Sequence, residues 1–282
     1  MTATLASPTP VRAGRRALRS RILLLIAGLA AVAAAVVLLA PGWVAPFPPD
    51  AGDFANTFAP PGGAHLMGTD QLGRDVWSRI VFGARLSVVV GLVATLLAVG
   101  LGSVLGLLAA FVGGPVETLI LRIVDVWLSF PELLLALLVI ALIGPGPTNV
   151  AVAIGIAAAP YYCRLVRAQA LTVVRSEYVE AARVLGVPPL RTALRHVLPN
   201  VGGPVVVLAS LGSGTAISAA AGLSLLGLGS LPPTPEWGAM LAEGQDHLAT
   251  AWWIAIFPGL AVVAVVLVVT VLGRAMQARS LR

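Results

Sequence analysis

The sequence predicts an all-α integral membrane protein of six transmembrane helices with both termini in the cytoplasm. Three observations predict it. Of the 282 residues, 58% are hydrophobic and 11% charged, where a soluble domain carries about 25% charged residues. The apolar residues fall in runs of roughly 20, the length a helix needs to cross the hydrocarbon core of a bilayer. The 18 basic residues are all Arg and gather at the ends of those runs, so the charge reads as topology and not as a nucleic-acid footprint with interleaved aromatics.

The expected spans are residues 22–39, 87–112, 119–143, 150–171, 201–226 and 252–272. The first follows a basic arm, residues 1–21, and its apolar run of about 19 residues exceeds the ~7–15 of a signal peptide's core, so it is read as a retained helix ending near residue 42. With both termini inside, fifteen of the 18 Arg fall on the cytoplasmic side, as the positive-inside rule requires. Only Arg74, Arg79 and Arg85 lie outside. They sit in an extracytoplasmic connection, residues 43–85, ahead of a five-helix core over 86–273 and a cytoplasmic tail over 274–282.

Two outer segments exceed simple turns: the Pro- and Gly-rich 43–85, and 227–251, which carries PPTPEW with Glu236, Glu243 and Asp246. Long connections tend to be functional, so these segments read either as a docking surface for a partner or substrate or as a solvated cap over helix ends. Cys163, the single cysteine, reads as a packing residue. His65, His196 and His247 share no ligand spacing, and no metal is assigned to them.

The cytoplasmic segment 176–199 is too polar to cross the membrane. Tyr178, Ala181, Ala182 and Leu185 form one apolar stripe at helical spacing, with Glu177, Glu180 and Arg183 off it; Leu190, Ala193, Leu194 and Val197 form a second, with Arg191 and Arg195 opposite. Gly186, Pro188 and Pro189 make the turn between them. Such a hairpin suits docking into a groove of a cytoplasmic protein, with Ala181 and Ala182 allowing close approach and Glu180 setting orientation by charge. An interfacial helix on anionic lipid has the same composition.

Within the third span stand Asp125 and Glu132, seven residues apart on nearly one face, with Arg122 one turn before Asp125. Intramembrane carboxylates are costly and mark functional paths. The alternatives are a polar lining of a translocation path, or an Arg122–Asp125 pair near the cytoplasmic end with Glu132 packed against neighbours.

The hairpin resembles the EAA loop of ABC importer permeases: Glu180, Ala181, Ala182 and Gly186, then nine residues to Arg195, then Leu198 and Pro199. Arg195, His196, Leu198, Pro199 and Asn200 are similar to the RHxLPN ending of the dipeptide, oligopeptide and nickel importer permeases. The segment 65–91, HLMGTDQLGRDVWSRIVFGARLSVVVG, is similar to that family's GTDxxGRDxxSRxxxGxRxSL signature, and LSLLGLGSLPPTPEWGAML over 223–241 and the pair Pro258 and Gly259 also look like it. Ala220 stands where many members have Glu, and the tail GRAMQARSLR lacks the usual acidic residues.

The resemblance implies a type I ABC importer permease fold in a prokaryotic cell membrane. It implies a second homologous permease, two ATPase subunits or domains carrying ATP and Mg, an extracytoplasmic binding protein and surrounding lipid. No nucleic acid is implied, and no cofactor on this chain. Coupling to the ATPase would fall to Glu177, Tyr178, Glu180, Ala181, Ala182, Arg183, Leu185, Gly186, Arg191 and Arg195. Contacts to the binding protein would fall to Thr69, Asp70, Arg74, Glu236 and Trp237, and the path to Asp125 and Glu132. A P-loop needs a Lys beside the β- and γ-phosphates; the chain has none, so it is expected to be non-catalytic. Peptides fit best as substrate, with nickel, glutathione or another small solute as alternatives. A secondary transporter would show inverted repeats with broken helices, and a membrane enzyme would need convergent catalytic groups that the sequence does not offer.

Overall fold

The computed structural model describes Gly28 and residues 36–280. The expected arm over 1–21, most of the first span and the last two residues of the tail lie outside the described residues. Among the described residues there is no β-strand, only one isolated bridge between Thr69 and Asp75.

After the short turns Pro41–Trp43 and Phe54–Asn56, the chain enters α1, Val76–Val112. Asp75 caps it by accepting the Ser78 N–H at 2.8 Å, so the helix starts eleven residues before the span expected from residue 87. At 37 residues α1 is roughly 55 Å long, and its first turns rise beyond a hydrocarbon core of ~30 Å. Gly113, at φ 64°, ends it.

The third expected span is not one helix. Residues 119–143 divide into α2, Gly114–Leu128, and α3, Glu132–Ile143, bent by 95°. Pro131 supplies no N–H to the ladder and disfavours helical backbone at Phe130 before it. The bend also cancels the shared face expected of Asp125 and Glu132. Next come α4, Pro147–Val174, α5, Glu177–Val184, and α6, Pro189–Thr192. A wider π turn, Ala193–Val197, carries α6 directly into α7, Leu198–Leu225. The short α8, Trp237–Gln245, and α9, Trp253–Ser280, complete the chain.

Four of these segments are long and apolar enough to cross a membrane, and five if the bent α2–α3 pair counts as one. Packing decides the count. Gly102 lies against Ala159 and Tyr162, and Gly106 against Cys163 and Arg167, so α1 and α4 run parallel and the α2–α3 pair must return the chain between them. The described residues therefore cross five times, leaving a cap built from 43–85 and 227–251 at one end and the hairpin α5–α6 at the other.

Small residues make this packing possible. Ala94, Ala98, Gly102 and Gly106 recur every fourth residue on α1, facing Ala151, Gly155, Ala159 and Cys163 on α4. A Cβ on Gly102 would lie 2.5 Å from the Tyr162 Cβ, and one on Gly106 would lie 2.6 Å from the Cys163 carbonyl oxygen. Close backbone approach of this kind replaces the hydrophobic driving force that lipid cannot supply. Cys163 is fully buried there. Gly106→Leu is expected to cost about 1–3 kcal/mol through overpacking, seen as a lower Tm of the detergent-solubilised protein by tryptophan fluorescence. An unchanged Tm would mean that the helices part without penalty.

Candidate functional site

The cap is built on charge. Asp70 Oδ1 accepts the N–H groups of Leu72 at 2.8 Å and Arg74 at 3.0 Å, closing a tight turn. Gly73 sits in that turn at φ 71°, where an added Cβ would stand 1.8 Å from the Asp53 carbonyl oxygen, so only glycine fits. Arg74 Nε donates to Asp70 Oδ2 at 2.6 Å and its Nη2 to Glu243 at 3.2 Å. Arg79 reaches the same two carboxylates, 3.6 Å from Asp70 and 3.4 Å from Glu243, and also donates to the Pro233 carbonyl at 3.3 Å. Two guanidinium groups thus share two carboxylates, which keeps the buried Asp70, Arg74 and Arg79 and the partly buried Glu243 paired and fastens the 43–85 segment to α8.

Aromatic donors extend this fastening. Trp237 Nε1 donates to the Ile80 carbonyl at 2.9 Å, and Trp253 Nε1 to the Thr69 carbonyl at 3.0 Å. Glu236 accepts the Ser230 N–H at 3.0 Å. On the cap's edge, Asp53 is held below the ordinary carboxylate range by hydrogen bonds from the Asn56 side chain and the Ala55 N–H.

Thr69, Asp70, Arg74, Glu236 and Trp237, expected as contacts for a binding protein, are all 3% exposed or less. Their polar groups hold the cap together through the bonds above. Exposed in the same segment are the apolar Trp43, at 88%, and Phe54, at 77%, together with Asp50 and Asp53.

At the opposite end, the hairpin turns most of its expected apolar stripe outward. Val179 and Ala182 turn inward and are buried, one turn apart on α5. Of the apolar stripe expected to dock into a partner, Tyr178, Ala181 and Leu185 face outward with Glu177 and Glu180, while Ala182 is turned to the bundle. An eight-residue helix needs only two anchors, and its remaining apolar residues are left for something else to cover. Val184 and Leu185, each more than 80% exposed, form the tip beside Gly186, whose φ of 75° makes the turn. Arg191, Arg195 and Leu194 are exposed on the returning limb, while Val197 is buried; the Arg183 side chain lies outside the described part of the structure.

Sequence reasoning missed how this hairpin is tied to the bundle. Asn200 Nδ2 donates to the Tyr178 hydroxyl oxygen at 3.2 Å, and the Tyr178 ring meets the His196 ring edge-on at 6.1 Å. The two polar residues flanking Leu198 and Pro199 therefore connect α5 to the foot of α7. Beside them, Val104, Leu108, Phe111, Leu194 and Leu198 line an apolar groove of about 450 Å3.

The intramembrane carboxylates separate into two kinds. Asp125 pairs with Arg164 of α4, not with Arg122 as expected from sequence spacing, because α2 lies across the foot of α4. Glu117 pairs likewise with Arg167, whose Nε approaches it at 2.8 Å. Glu132 opens α3 and borders two cavities.

Residues 102–282 match the family described as "Binding-protein-dependent transport system inner membrane component". The chain belongs to this permease family. The permease is 43% identical over 242 residues to the di/tripeptide transport system permease protein DppC of Pseudomonas aeruginosa (strain UCBPP-PA14), covering 84% of this chain and 80% of the relative. It is 42% identical over 238 residues to the dipeptide transport system permease protein DppC of Escherichia coli (strain K12), covering 82% and 79%. It is also 43% identical over 213 residues to the glutathione transport system permease protein GsiD of Pectobacterium atrosepticum, covering 76% and 71%.

Among solved structures, the permease matches a chain of the MetNI methionine ABC transporter in inward-facing conformations. The TM-score is 0.58 at 19% identity, over 71% of this chain and 95% of that one. A chain of an amino acid ABC transporter with histidines matches at 0.53 and 19%, over 71% and 94%. The fold is that of a type I ABC importer permease, as the resemblance implied, and the permease is a multi-pass inner-membrane protein.

Proposed function

We propose that the chain is one of two permease subunits of an ATP-driven importer of short peptides, and that the α5 tip is its contact with a separate ATPase. The observation that carries this is the outward face of the hairpin. Tyr178, Ala181, Val184 and Leu185 stand exposed beside Glu177 and Glu180, at the end of the bundle remote from the cap. A small apolar patch rimmed by carboxylates suits a partner that is both grooved and basic. ATP hydrolysis belongs on that partner, since the chain has no Lys for a P-loop. A binding protein would deliver substrate to the outer surface of the cap, and a second permease would close the cavities that Glu132 borders.

The mechanism is alternation between two states, biased by contacts that differ between them. Closure of the ATPase pushes α5; the Tyr178–Asn200 bond and the Tyr178–His196 contact pass the displacement to α7. Leu211 and Thr215 of α7 line both cavities beside Glu132, so a shift of this helix reshapes the path directly.

The names of the relatives support di- and tripeptides, and glutathione is a second reading supported by the 43% identity to its permease. Uptake of labelled dipeptides, tripeptides and glutathione into proteoliposomes holding the full transporter and its binding protein separates them. Saturable, ATP-dependent uptake of unmodified dipeptides is the expected result. Uptake of glutathione alone would move the assignment to that substrate.

A further inference from the structure

Two cavities meet at one carboxylate. The first, about 340 Å3, lies between α1, α4 and α7 and is lined in part by Thr95, Glu132, Tyr161, Tyr162 and Thr215. The second, about 380 Å3, lies between α3, α7 and α9 and is bordered by Glu132, Thr215, Ser218 and Thr270. Of the three carboxylates on α2 and α3, Glu117 and Asp125 are paired with arginines of α4. Glu132 has no hydrogen-bond or ion-pair partner among the described residues. A carboxylate at membrane depth normally finds one; Glu132, exposed at the first position of α3 where the helix dipole favours its charge, is left open to a cation that comes and goes.

The surrounding groups select the kind of cation. Thr95 donates its hydroxyl proton to the Gly91 carbonyl and Thr215 donates its own to the Gly212 carbonyl, both at 2.8 Å. Each hydroxyl is therefore left with lone pairs for the cavity. Tyr161 and Tyr162 stand edge to face with ring centroids 5.5 Å apart, and aromatic rings attract ammonium groups. Neither cavity has an Arg, Lys or His in its lining. The site offers acceptors, π-faces and one negative charge, which fits an alkylammonium group and repels a carboxylate.

We propose that Glu132, with Thr95, Tyr161, Tyr162 and Thr215, forms an intramembrane way-station for the α-ammonium group of a peptide in transit. The identity of the ligand rests on the peptide reading above; the presence of a cation site does not. A peptide would pass amino end to this site while its carboxylate is held away, and binding by a single exposed charge is weak enough to allow release.

The test uses the assembled transporter with Cys163→Ser, which removes the only cysteine of this chain, and Ser218→Cys as a reporter in the second cavity. Labelling of this chain by a quaternary-ammonium methanethiosulfonate and by a sulfonate-bearing one is followed by mass spectrometry. The cationic-to-anionic rate ratio is expected to fall about tenfold on Glu132→Gln and to be retained in Glu132→Asp. Free dialanine is expected to slow the cationic labelling, and N-acetyl-dialanine to leave it unchanged. A ratio unmoved by Glu132→Gln would overturn the cation site; equal protection by both peptides, or by neither, would overturn the ammonium assignment. If the wild-type transporter takes up no peptide at all, the peptide reading fails while the charge ratio still reports on the site.

Discussion

Glu180→Arg is expected to abolish ATP-dependent uptake while leaving the permease folded in the membrane. Glu180 is exposed on the outward face of α5 and has no ion-pair partner among the described residues, so its exchange belongs with surface substitutions that change stability by about 0.5 kcal/mol or less. Against a docked partner the same exchange reverses a charge, and like-charge contact costs several kcal/mol. A loss of ~3 kcal/mol weakens association more than 100-fold. Three measurements separate the cases: uptake, co-purification of the ATPase, and Tm. The expected pattern is lost uptake, lost co-purification and an unchanged Tm. Full uptake with the ATPase retained would remove the docking role from this face; a lowered Tm would make the residue structural.

The second large effect is expected at the other end. Asp70→Ala removes a carboxylate shared by Arg74 and Arg79 and both turn hydrogen bonds to Leu72 and Arg74. Removing one partner from a buried ion pair costs about 3–5 kcal/mol. The cap segment 43–85 is expected to become protease-sensitive and the Tm to fall. Asp70→Asn keeps an oxygen that can accept the turn bonds and loses the charge, so it should fall between wild type and Asp70→Ala. If the two variants were equal, the turn would contribute nothing and the charge everything.

The membrane spans were legible because each of α1, α4, α7 and α9 is a long stretch of apolar residues that no soluble helix would carry. The break at Pro131 was also written in the sequence, as Ser129, Pro131 and Glu132, but apolar residues flank it on both sides, and a long apolar run conceals a bend. The four-residue spacing of Ala94, Ala98, Gly102 and Gly106 could have identified the α1–α4 interface. Counting hydrophobic residues passes over it, since small residues matter there for what they leave out.

The cap and the hairpin were legible to different degrees. Asp70, Arg74 and Arg79 looked like a solvated surface because charges usually are, whereas Glu243, the shared partner of the two arginines, lies more than 160 residues further along and no local pattern discloses it. In the hairpin, periodicity placed α5 and its apolar stripe, of which Tyr178, Ala181 and Leu185 face outward and Ala182 faces the bundle beside Val179. A stripe tells which residues want covering; it does not say whether the chain itself or another protein covers them.

One further consequence concerns α7. It begins in the π turn of the hairpin and ends beneath the cap without interruption in its helical course. Its 28 residues make a lever ~42 Å long, and a tilt of about 10° at its foot would carry its upper end ~7 Å. The distance gained is larger than a side chain. A small rocking at the hairpin end would therefore suffice to move the end beneath the cap by several ångströms, with the parallel pair α1 and α4 as the post against which the lever turns.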